Sequence, residues 1–138
     1  MAIASCADAQ KLKETEVPAV VTATFQKLYP GVTAKWEKED GNYEAGFENK
    51  QGETSVLIND KGALLETENE IAVSALPKAA TDYITKNKPG EKVKEAAMII
   101  DSAGKKMYEA EVKDGDLLFD ETGNFIKEEK GEGKEDKD

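Results

Sequence analysis

Apolar residues recur at helical spacing twice along this chain. Val17, Val20, Val21, Phe25 and Leu28 form one stripe, opened by Glu16-Val17-Pro18 and closed by Pro30-Gly31. Leu76, Ala79, Ala80, Tyr83 and Ile84 form a second, with Ser74 as its expected N-cap and Pro89-Gly90 as its stop. Steps of three and four residues place each set on one face of a short helix. Proline is tolerated in a first turn, where its missing N–H would have no partner, and Pro-Gly ends the run.

After each stripe the period changes to two. Val32, Ala34 and Trp36 alternate with polar residues, as do Tyr43, Ala45 and Phe47, and then Thr54, Val56 and Ile58. Asp40-Gly41-Asn42, Lys50-Gln51-Gly52 and Asn59-Asp60-Lys61-Gly62 supply the turns, the last leading into a fourth strand at Leu64 and Leu65. The second half gives strands over roughly 92–100, 106–113, 116–120 and 124–128, with turns at Ser102-Ala103-Gly104, Asp114-Gly115 and Glu121-Thr122-Gly123. Each half thus reads α-β-β-β-β, and hairpin connections of this length force antiparallel pairing. Residues 92–100 leave their core-facing side open, because Ala96 to Ile100 is an unbroken apolar run.

The two halves are one pattern stated twice. Pro18 and Gly31 return as Pro77 and Gly90 at a common offset (77 − 18 = 90 − 31 = 59), and Tyr43-Glu44-Ala45 returns as Tyr108-Glu109-Ala110. The expected fold is α+β: a tandem duplication of an α-β-β-β-β unit, with two helices on one face of an antiparallel sheet and the other face open. The divisions are an N-terminal extension or signal-peptide remnant over 1–15, a first repeat over 16–72, a second over 73–130 sharing the same sheet, and a charged, disordered tail over 131–138. The core candidates are Trp36, Tyr43, Phe47, Val56, Ile58, Tyr108, Val112, Leu117 and Phe119.

Charge narrows the function. The net charge is −10, all 19 basic residues are lysine, and histidine is absent. Such a surface repels a phosphate backbone, so no nucleic-acid partner is expected. Without histidine the usual general base is missing. Nothing sets Ser55, Ser74 or Ser102 beside a lysine, and no Gly-rich phosphate loop is present, so no catalytic residues are assigned and the chain reads as a non-enzyme. No apolar run approaches the length of a membrane span. Met1 to Gln10 resembles the end of a secretory signal, with Ala7-Asp8-Ala9 fitting cleavage before Gln10 and Ile3-Ala4-Ser5-Cys6 resembling a lipobox. Cys6, the single cysteine, is the candidate lipid-attachment site.

By strand alternation Glu37, Glu39, Glu44, Glu48, Glu109, Glu111 and Asp116 point away from the helices, with Lys35 and Lys113 among them. Leu57 and Leu118 fall on the same side as exposed apolar anchors, unless a bulge breaks the parity there. Glu37, Glu44, Glu48, Leu57, Glu109, Glu111 and Leu118 are the candidate partner-binding residues. For calcium the weak candidates are Asp114, Asp116 and Asp120, together with Asn59-Asp60 and Asp101, although turn chemistry explains Asp-x-x-Gly as well. No cofactor is assigned.

A resemblance adds to this. Val17-Pro18, Phe25-x-x-x-Tyr29-Pro30-Gly31, Trp36-Glu-Lys-Glu-Asp-Gly-Asn-Tyr-Glu-Ala-x-Phe-Glu48 and Asn59-Asp-x-Gly-x-Leu-Leu-Glu-x-Glu68 resemble the PepSY-like periplasmic proteins of the beta-lactamase-inhibitor-like fold. The likeness spans about 17–130; in the second half Lys88 replaces the aromatic before Pro-Gly, and no tryptophan answers Trp36. The resemblance implies an exported, periplasmic or envelope protein, in a family sometimes labelled calcium-regulated, whose concave sheet grips a protein loop. The expected function is a binding module that uses an acidic sheet face on a protein or peptide, as a monomer or weak oligomer. A calcium-responsive protein and a structural envelope protein are the alternatives.

Overall fold

The computed structural model describes residues 10–50 and 52–130. Nine antiparallel strands follow one another in a single meandering sheet: β1 (Gln10–Leu12), β2 (Lys35–Glu39), β3 (Asn42–Asn49), β4 (Gly52–Ile58), β5 (Leu64–Ile71), β6 (Glu95–Asp101), β7 (Lys106–Val112), β8 (Gly115–Asp120) and β9 (Phe125–Lys130). Helices α1 (Ala19–Leu28) and α2 (Lys78–Asn87) lie after β1 and β5, each preceded by a short 3-10 turn, at Glu14–Glu16 and Val73–Ala75. Residues 10–12, expected within the N-terminal extension, pair with β2, Leu12 standing opposite Trp36. Cys6 and the tail beyond 130 lie outside the described residues.

Both helices cover the same face. Val17, Val21 and Phe25 pack on Trp36, Tyr43, Ala45, Val56 and Ile58, while Leu76, Ala80 and Ile84 pack on Ala96, Ala110, Val112, Leu117 and Phe119. Cross-strand partners share a face, and Val56 opposite Thr67, then Thr67 opposite Ile100, carries that face from one half to the other. Phe25 anchors the first cluster, edge-on to Trp36 at 5.5 Å and to Phe47 at 5.6 Å. Tyr83 anchors the second, stacked on Phe125 at 4.4 Å. Phe47 and Tyr108, expected in the core, are half-buried at its margin.

The apolar side forms two clusters rather than one shared core, because the middle of β5, Glu66 to Glu70, is polar on both faces while Leu64 and Ile71 at its ends join one cluster each. Thr67 and Asn69 face the helices, and the Thr54 hydroxyl donates to Asn69 Oδ1 at 3.1 Å while accepting from Asn49 Nδ2 at 3.3 Å. That bridge satisfies Thr54, whose side chain is fully buried and would otherwise cost free energy.

Several local expectations change. The buried line runs in steps of four from Val17, just before α1, through Val21 to Phe25, so Val20 and Leu28 fall beside it and are exposed, as is Ala79 on α2. Ser74 does not cap α2: it lies in the 3-10 turn, and Pro77 occupies the cap position without a side-chain hydrogen bond. The strand expected from 92 begins at Glu95. Within it Ala96, Met98 and Ile100 face the helices and Ala97 and Ile99 the other side, which is why the run is continuously apolar.

Equivalent turns close the two halves. Asn59 Oδ1 accepts from the N–H groups of Lys61 and Ala63, and Asp120 Oδ1 from those of Thr122 and Asn124. Gly62 and Gly123 each take positive φ, 87° and 97°, and each lies against the start of its half's helix. A Cβ on Gly62 would sit 2.8 Å from Val20 Cγ2, and one on Gly123 2.9 Å from Pro77 Cβ. The same place in each half also carries a bulge: the register shifts between Leu57 and Ile58, and between Leu118 and Phe119. The extra residues stand on the partner strands, Leu65 and Ile126, so the alternation within β4 and β8 is preserved.

Candidate functional site

Among the described residues no helix lies on the opposite face of the sheet, and acidic side chains gather there in rows. Strand register makes the rows explicit. Glu95, Glu111, Asp116 and Glu129 stand opposite one another across β6, β7, β8 and β9. In the other half Glu37 opposes Glu44, and Glu44 opposes Leu57; Leu57 opposes Glu66, which opposes Asp101. Glu48 opposes Glu53 at the far end of the β3–β4 hairpin. Like charges directly opposed across strands weaken a sheet. Lysines on this face stand in the outer strands: Lys11 opposite Glu37, Lys35 opposite Gly46, and Lys127 opposite Leu118, its ammonium 3.1 Å from Glu129.

Every candidate partner-binding residue lies on this face, but the set divides by exposure. Glu48 is exposed, and Glu37, Leu57 and Glu111 are half-buried. Glu44, Glu109 and Leu118, expected to meet solvent, are buried at 9%, 4% and 7% exposure. Alternation specifies the side of a strand and not the depth on it. Here neighbouring strands supply the cover, with Ala97, Ile99 and Leu118 all buried on the same side.

The deepest side chain is Glu68, on the central strand of the nine, with no exposed surface. It stands opposite Ser55 on β4 and Ile99 on β6. No N–H or hydroxyl of another residue reaches either of its carboxyl oxygens. The hydrogen it has is its own: burial pushes its pKa up, and a hydrogen bond to Glu109 raises it further while lowering that of Glu109. Burial therefore favours the neutral form of Glu68 first. Glu109 is also raised, by burial and then by Asp116, Glu129 and Glu111. Glu44 is pushed up to about 7, by burial first and then by Glu39, Glu37 and Glu66. Burial, followed by Asp101, Glu129 and Glu39, raises Glu66. Among the described residues none of these four carboxyls is in an ion pair with a lysine.

The calcium candidates do not converge. Asp116 belongs to the acidic row, whereas Asp120 Oδ1 already accepts from the backbone of Thr122 and Asn124 and from the Thr122 hydroxyl at 2.9 Å. Those bonds, the Asn124 N–H first, hold its carboxyl below the usual range. Asp101 makes the same turn to Ala103 and Lys105, at 2.9 Å each. Among the described residues no three acidic, histidine or cysteine side chains are grouped to hold a metal ion.

Sequence reasoning did not place Glu66, Glu68, Glu70, Glu95 and Glu129 on this face, and it named Asp101 only as a calcium candidate. Glu66-x-Glu68-x-Glu70 carries a period of two in its charges, a strand signal without an apolar partner.

Comparison with known proteins agrees with this architecture. A search of curated proteins finds no match. Solved structures from Bacteroides share the fold. One, described as a "putative periplasmic" protein of Bacteroides eggerthii, is 15% identical, covering 83% of this chain and 88% of that one, with a TM-score of 0.73. A DUF2874 family protein of Bacteroides uniformis is 20% identical over 82% of this chain and 88% of that one, with a TM-score of 0.72. A BLIP-like protein of Bacteroides fragilis is 21% identical over 82% and 85%, with a TM-score of 0.64. The family described as "Putative beta-lactamase-inhibitor-like, PepSY-like" matches residues 5–66 and again residues 41–127. With most of its length matched, the chain belongs to this PepSY-like family.

Proposed function

We propose that this chain is an exported, non-enzymatic binding module that takes a protein or peptide partner on the face opposite its helices. One observation carries the proposal: acidic residues are concentrated, row against row, on the sheet face that no helix among the described residues covers. Opposed carboxylates weaken a sheet, and a partner lying across them would offset that cost. The periplasmic description of the Bacteroides eggerthii protein supports export to the envelope. The BLIP-like description of the Bacteroides fragilis structure supports an inhibitor-like mode of binding. Equivalent turns at Asn59 and Asp120, and equivalent buried acids at Glu44 and Glu109, support descent of the two halves from one repeated unit.

Glu68 argues against acid–base chemistry, because a general acid must reach the proton's acceptor on a substrate and this carboxyl has no exposed surface. The calcium-responsive alternative has no grouped ligand set behind it among the described residues.

The test reverses charge where the face is accessible. Glu37→Lys, Glu48→Lys and Glu111→Lys together should abolish co-purification of a partner from the cell envelope while leaving the melting temperature within a few degrees of the parent. Identical partners with both proteins would exclude this face as the binding surface.

A further inference from the structure

We propose that the outer edge of β9 pairs with β9 of a second copy of this chain, antiparallel about a two-fold axis, so that two sheets join into one. This edge is a different surface from the acidic face, and the two proposals stand or fall separately.

The internal repeat shows what such an edge does. β9 answers to β5: Leu64 stands opposite Ile58 beside one bulge, and Phe125 opposite Phe119 beside the other (125 − 64 = 119 − 58 = 61). The outer edge of β5 is covered by β6, the first strand of the second half. Among the described residues no strand covers the outer edge of β9. A row of backbone N–H and C=O groups without a neighbouring strand is a template for another one. The same strand carries Phe125 and Ile126, at 37% and 45% exposure. Phe125 lies flat on Tyr83 of α2, ring centroids 4.4 Å apart, which gives the edge an ordered apolar end.

Charge selects the occupant. In the β5–β6 register Thr67, Glu68 and Asn69 stand opposite Ile100, Ile99 and Met98. β2 answers to β6, since Trp36 faces Ala45 as Ala96 faces Ala110. Repeating that register between β9 and the β2 of another copy would set Glu128, Glu129 and Lys130 opposite Asp40, Glu39 and Lys38. All three are like-charged pairs, which weaken a sheet, and β1 already occupies that edge of β2. Pairing β9 with itself removes the conflict. An interface with two-fold symmetry is self-complementary, and in an antiparallel strand pair one residue then faces its own copy. With Glu128 at that place, Lys127 of each copy faces Glu129 of the other, on the side of the strand away from the helices. Glu128 points to the helix side and has its own cation there, the Lys88 ammonium at 3.1 Å. The Lys127 ammonium lies 3.1 Å from Glu129 within its own chain, so pairing completes a ring of two lysines and two glutamates. A charged edge of this kind shuts out strands of the wrong pattern and admits the matching one.

The experiment is sedimentation velocity on the full chain across the micromolar range, with amide hydrogen exchange of β9 followed at each concentration. A monomer–dimer equilibrium is expected, the β9 amides exchanging more slowly as dimer forms. Glu129→Lys sets lysine against lysine at both crossings and should weaken the dimer about tenfold or more. Adding Lys127→Glu restores opposite charges across the two-fold axis and should recover it. Glu129→Lys also lowers the net negative charge, so a dimer held elsewhere would tighten rather than weaken. A monomer at every concentration, or a dimer indifferent to the single variant, would overturn the proposal. So would β9 amides already protected in the monomer, which would show that a segment of the same chain covers the edge.

Discussion

Glu68 and Glu109 are both buried on the face of the sheet away from the helices, at 0% and 4% exposure, on the two strands that flank β6, and burial raises the pKa of both. They belong to β5 and β7, and the strand between them presents Ala97 opposite Glu109 and Ile99 opposite Glu68. Ala97 and Ile99 are themselves buried between the two strands.

Stability should fall as pH rises from about 5 to about 8, opposite to the acid denaturation common among proteins with paired carboxylates. The sign follows from the raised pKa values: the native state keeps protons that the unfolded chain gives up, so stability declines with pH. Glu44, displaced from 4.5 to about 7, alone accounts for roughly 3 kcal/mol across that range at 1.36 kcal/mol per unit. Thermal unfolding at constant ionic strength should show Tm several degrees higher near pH 5.5 than near pH 8. Glu68→Gln, which removes the deepest of these carboxyls, should raise Tm near pH 8 and flatten the dependence.

Ala97→Leu forces a larger side chain into a buried position opposite Glu109. Overpacking of this kind costs about 1–3 kcal/mol, readable as a lower urea midpoint. A midpoint equal to that of the parent would show that the face beside Glu109 has room that its burial denies.

The turn glycines divide into two classes. Gly104 and Gly123 both take positive φ, but a Cβ on Gly104 meets nothing within 4 Å, whereas one on Gly123 meets Pro77, Ala79 and Ala80 at 2.9–3.0 Å. Gly104→Ala should cost only the left-handed backbone term of about 1–2 kcal/mol. Gly123→Ala and Gly62→Ala should each cost about 1–3 kcal/mol more, through displacement of the helix start. Equal losses at 104 and 123 would separate the turn from α2.

Trp36 is buried against Phe25, so native fluorescence should be blue-shifted and should move to the solvent value on unfolding. Phe25→Ala should cost about 3–5 kcal/mol and shift native emission to the red. Solvent-like emission from the intact protein would contradict the packing of α1 on β2.

Much of this fold is legible in the chain because two physical signals coincide. Proline–glycine boundaries and helical spacing mark α1 and α2, and period-two runs between glycine turns mark β2, β3, β4, β7 and β8. β5 was read only as far as Leu65, because Glu66 to Glu70 offers no apolar face to either side, and β1 is too short to show a period. The side of the sheet on which Glu44 and Glu109 lie was readable from alternation. Their depth was not, since it depends on side chains from strands distant in sequence. The same limit hid Glu68, whose burial comes from the neighbours that strand pairing brings around it. Leu57 and Leu118 show the reverse: the bulges anticipated beside them exist, but on the partner strands, so Leu118 stays on the acidic side and is buried there.

The most direct test of the acidic face is a carboxyl-carbon NMR titration of the glutamates, assigned by Glu68→Gln and Glu109→Gln. Glu68 should remain protonated through pH 7, with Glu109 and Glu44 titrating well above the ordinary carboxylate range. Titration of all three near pH 4 to 5 would contradict the buried, acid-rich, cation-poor centre on which this account of the face depends.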